Sequence, residues 1–286
     1  MSPAKQLKKI LDEPGILTMP GCYDAFSARL IERAGFRVTF MGGFAVSASR
    51  IGMPDTGLIS YAEMLDQGRN ICSAVSIPVI GDGDTGYGNA LNVQRTVNGY
   101  AKAGFACVKI EDQVAPKRCG HTRGKQVVPR DEAFSRVQAA VDARDEGSDI
   151  LILARTDANA TDGLEEAITR AKTFADIGAD ITFLEAPRNE KEMRAYCDQV
   201  PGPKMANLVE QGDTPMLPPA QLEDIGYRLA LYPLTMILAA QQAMAQALTD
   251  LYQGIHPDGL ADFSELRDVV GFPDYYEAEK KYAAEG

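Results

Sequence analysis

The chain has 286 residues, 45% hydrophobic and 24% charged, with a formal net charge of −11. This is the composition of an ordinary soluble globular protein with a large core. The negative charge argues against nucleic acid or an anionic membrane as partner. It does not argue against a small anionic ligand, which responds to the local field of a pocket. No apolar stretch near the N-terminus resembles a secretory signal, and no run of about 18 apolar residues could span a bilayer. The five cysteines are scattered without a CxxC pair, so reduced thiols in a cytoplasmic setting are expected. Two histidines, His121 and His256, are too few for a multi-histidine metal centre.

From the N-terminus onward, short apolar runs alternate with amphipathic stretches. The runs at 16–19, 38–41, 79–81, 106–110, 150–154, 181–184, 204–206 and 228–231 read as strands. Between them, 25–34, 61–74, 92–103 and 164–177 carry apolar residues at three- and four-residue spacing, the period of helices packed on one face. Gly35, Gly104, Gly178 and Gly226 each stand between such a helix and the next strand, where a left-handed helix stop is needed. Eight strand–helix units in a chain of this length predict a (β/α)8 barrel as a single domain, 1–286, with a helical C-terminal tail. An open doubly wound sheet is disfavoured, because no glycine-rich phosphate turn follows the first strand. The stretch after Gln253, with Pro257, Pro273 and Tyr275-Tyr276, is too long to end a helix and is expected to pack on a neighbouring subunit.

In a barrel of this kind the active site gathers at the C-terminal ends of the strands. Those ends offer Gly42-Gly43, then Asp82-Gly83-Asp84, Glu111-Asp112, Arg155-Thr156-Asp157, Glu185 and Asn207. Six of eight strands therefore end in groups able to hold a metal or a carboxylate, more than solvation alone explains. Asp82 and Asp84 are two apart, so in an extended chain they point the same way. With no Cys or His cluster nearby they suit Mg2+, or Mn2+, keeping several waters; an Asx-rich turn is the competing reading. Arg155 leaves a buried strand and needs a partner: either a substrate carboxylate or an internal carboxylate such as Asp157 or Glu185. The Gly42-Gly43 amides could cradle an oxyanion.

The segment from Glu111 to His121 is the most informative. Two carboxylates end an apolar run, and Lys117, Arg118, Cys119, Gly120 and His121 follow. Such a loop reads as a mobile element that carries a reactive thiol to an anionic substrate.

Together these stretches resemble the isocitrate lyase/phosphoenolpyruvate mutase superfamily over nearly the whole chain. The resemblance is carried by Gly52-Met-Pro-Asp55, Gly81-Asp-Gly-Asp-Thr-Gly-Tyr-Gly88, Glu111-Asp-Gln113, Lys117-Arg-Cys-Gly-His121, Ala154-Arg-Thr-Asp157 and Leu184-Glu-Ala-Pro187. The Cys-Gly-His stretch resembles the lyase branch, in which the cysteine of a gating loop is the catalytic acid. The resemblance implies Mg2+ (Mn2+ as a substitute) on Asp82 and Asp84, with Glu111 behind them as a candidate base acting through water. It places Gly42, Gly43 and Phe44 at the oxygens of an α-keto acid fragment and Arg155 at its carboxylate. Asp55 orients the site, while Gly120, Glu185, Asn207 and Leu238 line the pocket of the second fragment. Lys117, Arg118 and His121 would surround Cys119 with positive charge. It also implies a homotetramer whose eighth barrel helix is exchanged between subunits. Gly42 and Phe40 depart from relatives that carry Ser and Tyr at these positions.

In methylisocitrate lyases two arginines bind a third carboxylate; the matching positions here are Leu238 and Phe263. The loop continuation Thr122-Arg123-Gly124-Lys125 is similar to the group that cleaves 2-alkylmalates. A dicarboxylate such as 2,3-dimethylmalate, cleaved to pyruvate and propionate, is therefore the expected substrate. The alternatives are 2-methylisocitrate cleavage, oxaloacetate hydrolysis or decarboxylation, and a carboxyphosphoenolpyruvate-type phosphonomutase.

Overall fold

The structure is a computed structural model that describes residues 1–120 and 124–282. Eight parallel strands form one sheet: β1 (Leu17–Cys22), β2 (Thr39–Met41), β3 (Val79–Asp82), β4 (Cys107–Glu111), β5 (Leu151–Thr156), β6 (Ile181–Leu184), β7 (Met205–Asn207) and β8 (Leu229–Tyr232). Their order is β6-β5-β4-β3-β2-β1-β8-β7. A parallel bridge between Thr182 and Lys204, with the Thr182 amide donating to the Pro203 carbonyl at 3.1 Å, brings the two ends together. The chain thus forms the (β/α)8 barrel that its alternating runs predict.

Several strands extend a residue or two beyond the apolar run that announces them. Consequently Asp82, Glu111 and Asn207 are the last residues of β3, β4 and β7, and Arg155 is the penultimate residue of β5. These side chains project from the sheet, not from mobile loops. Each pair of neighbouring strands also sets a register, and two pairings matter below: Asp82 lies beside Lys109, and Glu111 beside Arg155.

Helix starts are fixed by reciprocal side-chain caps. The Ser27 amide donates to Asp24 Oδ1 at 2.7 Å while Ser27 Oγ accepts from the Asp24 amide at 3.1 Å. Ser60 with Glu63, and Asn89 with Asn92, repeat the device ahead of helices Tyr61–Ala74 and Ala90–Ala103. At the other end of Ala90–Ala103, Gly104 takes φ +99°, which stops the helix and turns the chain into β4.

Two apolar layers hold the barrel. Inside it, Met19, Phe40, Ile80, Leu153, Phe183, Met205 and Leu231 meet Ala4, Leu7 and Ile10 of the helix Pro3–Asp12. That helix closes the lower end and leaves the strand C-termini as the open mouth. Between strands and outer helices, Tyr100 and Phe105 stack at 4.6 Å, and the Phe105 ring lies against the bare Cα atoms of Gly68 and Gly81.

The helix after β8, Thr235–Tyr252, buries none of its residues. Leu248, Leu251, Tyr252, Ile255, Leu260 and Phe263 are exposed along it and the segment beyond. The Arg29 guanidinium donates to the Val269 carbonyl at 3.0 Å and ties helix Phe263–Val269 to helix Ala25–Arg33.

A Cβ on Gly81 would lie 2.6 Å from Phe105 and 2.8 Å from Tyr100. Gly81→Ala is expected to cost about 1–3 kcal/mol through overpacking. Urea unfolding measures it, and an unchanged midpoint would show that the two rings yield freely.

Candidate active site

Asp82 is anchored from three sides. Its backbone carbonyl accepts from Tyr100 Oη at 2.7 Å, its Oδ2 from the Gly43 amide at 3.1 Å, and its Oδ1 from the Asp84 amide at 2.9 Å. Asp84 itself stands at φ +48°, beyond the end of the strand. The two carboxylates therefore converge through a tight turn, not through the alternation of an extended strand. The Asx turn that competed with the metal reading is present, and it is what aims the pair. Asp84 Oδ1 and Glu111 Oε1 are buried and accept no hydrogen bond from the described residues.

Lys109 was hidden in the sequence. It sits inside the apolar run that predicts β4, yet its side chain is buried between Asp82 Oδ1 and Glu111 Oε2, 2.7 Å from each. The alternation Lys109, Glu111 along a strand otherwise apolar was the available signal. Lys117 takes a matching position on the other side. Its Nζ lies 2.6 Å from Asp55 Oδ1 and 2.8 Å from Asp84 Oδ1, the second a charge contact without hydrogen-bond alignment. Its charge is thus engaged by the carboxylates, whereas the sequence assigned it to the surroundings of Cys119.

Four buried carboxylates (Asp55, Asp82, Asp84, Glu111) against two buried ammoniums leave this cluster formally two charges negative. The carboxyl groups respond unequally. Burial would raise both aspartates, but Lys109 and Lys117 hold Asp82 well below the usual carboxylate range. At Asp84 burial prevails: with Asp82, Asp55 and Glu111 close by, the single Lys117 does not compensate, and the group is pushed up to about 7. A hard divalent cation fits this deficit and these oxygens. Among the described residues no three Asp, Glu, His or Cys side chains form a ready cage. That arrangement suits an ion that keeps much of its own water.

Arg155 closes the opposite wall. Nε and Nη2 bind Asp157 at 2.7 and 2.9 Å, Nη2 lies 3.1 Å from Glu185, and Nη1 lies 3.5 Å from Glu111. The internal ion pair is therefore present, while the guanidinium still faces the cleft. Asp157 is steadied by its amide, which donates to Asp112 Oδ1 at 2.9 Å. Asn207 Nδ2 donates to both Glu185 oxygens at 3.3 Å. The residue after Glu185, Ala186, adopts φ +54°, a strained conformation for alanine that holds the Glu185 side chain inward.

The loop after β4 is folded down onto this wall. The Gln113 side chain donates to the Arg118 carbonyl at 2.9 Å and accepts from its amide at 3.0 Å. Lys125 Nζ donates to the Gly120 carbonyl and to Asp157 Oδ1, the latter at 3.0 Å. A Cβ at position 120 would lie 2.2 Å from Glu185 and 2.6 Å from Arg155, so only glycine permits this approach. Cys119 and Arg118 thereby reach a cleft that is also lined by Phe40, Gly42, Gly43, Phe44, Asp55, Asp82 and Asn207. Phe183, Val209, Leu231, Pro233 and Leu234 supply an apolar wall that sequence reasoning missed, since nothing distinguishes these residues from core.

Of the residues that the sequence nominates for the site, one lies outside the described residues and another does not line the cleft. His121, with Thr122 and Arg123, lies outside the described residues. Leu238 does not line the cleft: it is half-exposed on the helix Thr235–Tyr252, whose first turn packs Met236 against the core while none of its residues is fully buried. Phe263 is further out, and 73% exposed.

The raised Asp84 carboxyl has a signed consequence. Its folded value lies above that of an unfolded chain, so without a cation the protein loses stability as pH rises from about 4 through about 7. Asp84→Asn is expected to be the more stable of the two at pH 8 without divalent ions. Adding Mn2+ should then raise the Tm of the parent and leave that of the variant nearly unchanged. Equal Tm increments in both proteins would remove Asp84 from the cation site.

Known proteins share the sequence and fold of this chain over nearly its whole length. The family model for phosphoenolpyruvate phosphomutase matches residues 7–252. The chain is 42% identical to 2,3-dimethylmalate lyase of Eubacterium barkeri, with 99% of each chain covered. It is 41% identical to the chloroplastic carboxyvinyl-carboxyphosphonate phosphorylmutase of Arabidopsis thaliana, covering 96% of this chain and 83% of that one. With 2-methylisocitrate lyase of Bacillus subtilis it shares 36% identity, covering 98% and 93%. Among solved structures, 2,3-dimethylmalate lyase superposes with a TM-score of 0.94 at 35% identity over 99% of this chain and 96% of that one. Oxaloacetate acetylhydrolase with 3,3-difluorooxalacetate gives 0.93 at 35% over 98% and 97%. Phosphonopyruvate hydrolase with oxalate and Mg2+ gives 0.87 at 29% over 99% of each. The chain belongs to the phosphoenolpyruvate mutase/isocitrate lyase superfamily.

Proposed function

We propose that the protein is a divalent-cation-dependent carbon–carbon lyase that cleaves a 2-hydroxy dicarboxylate of the 2-alkylmalate class, such as 2,3-dimethylmalate, to pyruvate and propionate. The observation that carries this reading is that one cleft is lined at once by Asp82, Arg155 and the thiol-bearing residue Cys119. A metal-polarised hydroxy acid, an anchored carboxylate and a proton donor are the three requirements of a retro-Claisen cleavage. The similarity to 2,3-dimethylmalate lyase supports the substrate class.

Asp82 and Asp84, with Glu111 behind them, would hold Mg2+ or Mn2+. When bound, such an ion supplies Lewis-acid polarisation of the C2 hydroxyl and its neighbouring carboxylate. The chain's own groups do the rest. Arg155, locked by Asp157 and Glu185, orients the carboxylate of the α-keto fragment. The hydroxyl proton leaves toward the Glu111 side, and the C2–C3 bond breaks as the C2 ketone forms. The bonding electrons become an enediolate on the second fragment, which Arg118, and His121 outside the described residues, stabilise by charge. Cys119 delivers its proton to C3, and the thiolate is later reprotonated. The apolar wall of Phe40, Phe183, Val209 and Leu231 accepts alkyl substituents.

A tricarboxylate fits less well. Among the described lining residues, Lys109, Lys117 and Arg155 already pair with carboxylates of the protein, which leaves Arg118 for the second fragment. A third substrate carboxylate would be buried without a partner, at a cost of several kcal/mol. The apolar helices beyond β8 fit a homotetramer in which the eighth barrel helix packs on a neighbour, in a cytoplasmic enzyme.

The test is a panel of 2,3-dimethylmalate, citramalate, 2-methylisocitrate and oxaloacetate with Mg2+, followed by α-keto acid formation or loss. Pyruvate is expected from an alkylmalate and not from methylisocitrate. Consumption of oxaloacetate alone would move the activity to hydrolysis or decarboxylation and overturn the reading. Cys119→Ser is expected to lower kcat by at least about 10²-fold while Mn2+ binding persists. A variant with unimpaired turnover would deny the thiol its role as acid.

A further inference from the structure

The carboxylate cluster holds two ammoniums of different kinds. Lys117 belongs to the loop after β4 and reaches Asp55 and Asp84 from there. Lys109 belongs to β4 itself, is 1% exposed, and has Asp82 as its register neighbour on β3. Its Nζ bridges Asp82 Oδ1 and Glu111 Oε2 at 2.7 Å each. Two carboxylates that converge on one point offer a hard divalent cation a place between them. Here the place of a second ion is taken by a side chain.

We propose that Lys109 is a built-in cation of the metal site: it fills the inner side of the Asp82–Glu111 pair, restricts the cluster to one divalent ion, and holds the affinity for that ion down. The inference rests on the assignment of Asp82 and Asp84 as metal carboxylates. With Lys109 present the four carboxylates keep a formal deficit of two charges, which one divalent ion cancels. Without it the deficit is three, and no cation stands between Asp82 and Glu111. Coulomb attraction over a few ångströms in a dry interior makes that difference large. An alternative role predicts the opposite sign: if Lys109 only props Asp82 in position, its removal disorders the carboxylate and weakens metal binding.

The experiment is Mn2+ binding to the intact protein without substrate, followed by electron paramagnetic resonance of the free ion. The parent is expected to bind one Mn2+ per chain. Lys109→Met, close in length and uncharged, is expected to bind Mn2+ at least tenfold more tightly or to take up a second ion. Lys109→Met combined with Glu111→Gln restores the charge balance and should return the affinity to within about threefold of the parent, with a single ion bound. Circular dichroism verifies that each variant is folded, and the double variant, which returns the net charge of the cluster to that of the parent, is the safeguard if the single one fails to fold. Weaker or unchanged binding by folded Lys109→Met overturns the proposal and leaves the metal assignment standing. Two ions on the parent also overturn it. If the parent binds no Mn2+, the metal assignment falls and the proposal with it. Substrate turnover enters none of these outcomes, so a mistaken substrate class would not disturb them.

Discussion

A chain of alternating charges across the barrel mouth is the constraint on which the site depends. It runs from Asp82 to Lys109, Glu111, Arg155, Asp157 and Lys125, and ends on the carbonyl of Gly120 beside Cys119. Sheet register sets most of it: Asp82 neighbours Lys109 across β3 and β4, and Glu111 neighbours Arg155 across β4 and β5. Parallel strands stand about 4.8 Å apart, so opposite charges on adjacent strands meet without loop movement. Burying so many ions is unfavourable taken singly. Their order makes it tolerable, and removal of any member leaves an uncompensated buried charge worth about 3–5 kcal/mol. Such a wall is rigid because no member can move alone.

The same chain explains how the loop after β4 holds Cys119 at the cleft. Its root is pinned by the two Gln113 hydrogen bonds to Arg118, and Lys117 inserts between Asp55 and Asp84. On the far side Lys125 grips Gly120 and Asp157 together. Loop position and site charge are therefore one equilibrium. Lifting the loop withdraws Lys117 from two carboxylates and Lys125 from the residue that orients Arg155. A ligand that changes the charge of the cluster must also change the population of the closed loop.

How far the sequence revealed this differs by kind of residue. Apolar runs and glycine stops located every strand, seven of the eight to within two residues at each end and β1 three residues short at its C-terminal end, because burial in a parallel barrel demands continuous hydrophobicity. Asp82, Glu111, Arg155 and Asn207 were legible as polar residues that end such runs. Lys109 was not, because a single cation within an apolar run is absorbed by the average and betrays itself only when alternate residues are read separately. The convergence of Asp82 and Asp84 was anticipated for the wrong geometric reason, since it depends on a left-handed Asp84 and not on strand alternation. Phe183 and Val209 could not be told from core, because the wall of a cleft and the wall of a core have the same composition. Leu238 illustrates a different limit: helix Thr235–Tyr252 continues the barrel pattern but none of its residues is fully buried, so the role of Leu238 cannot be inferred from position in the repeat.

The charge balance also orders events on the proposed reaction. A dicarboxylate approaching the bare cluster meets a deficit of two charges beside the carboxylates that would have to receive it. Like charges at such separations in a dry pocket repel strongly. A divalent cation cancels the deficit, after which Arg118, with the guanidinium face that Arg155 turns to the cleft, is the nearest attraction. Cation first and substrate second is thus the sequence that the electrostatics impose. The substrate's own charge then makes Lys117 and the rest of the loop more favourable in the closed position. On this account the thiol arrives last, when the substrate is fixed and water has been displaced, which is when a proton donor is needed.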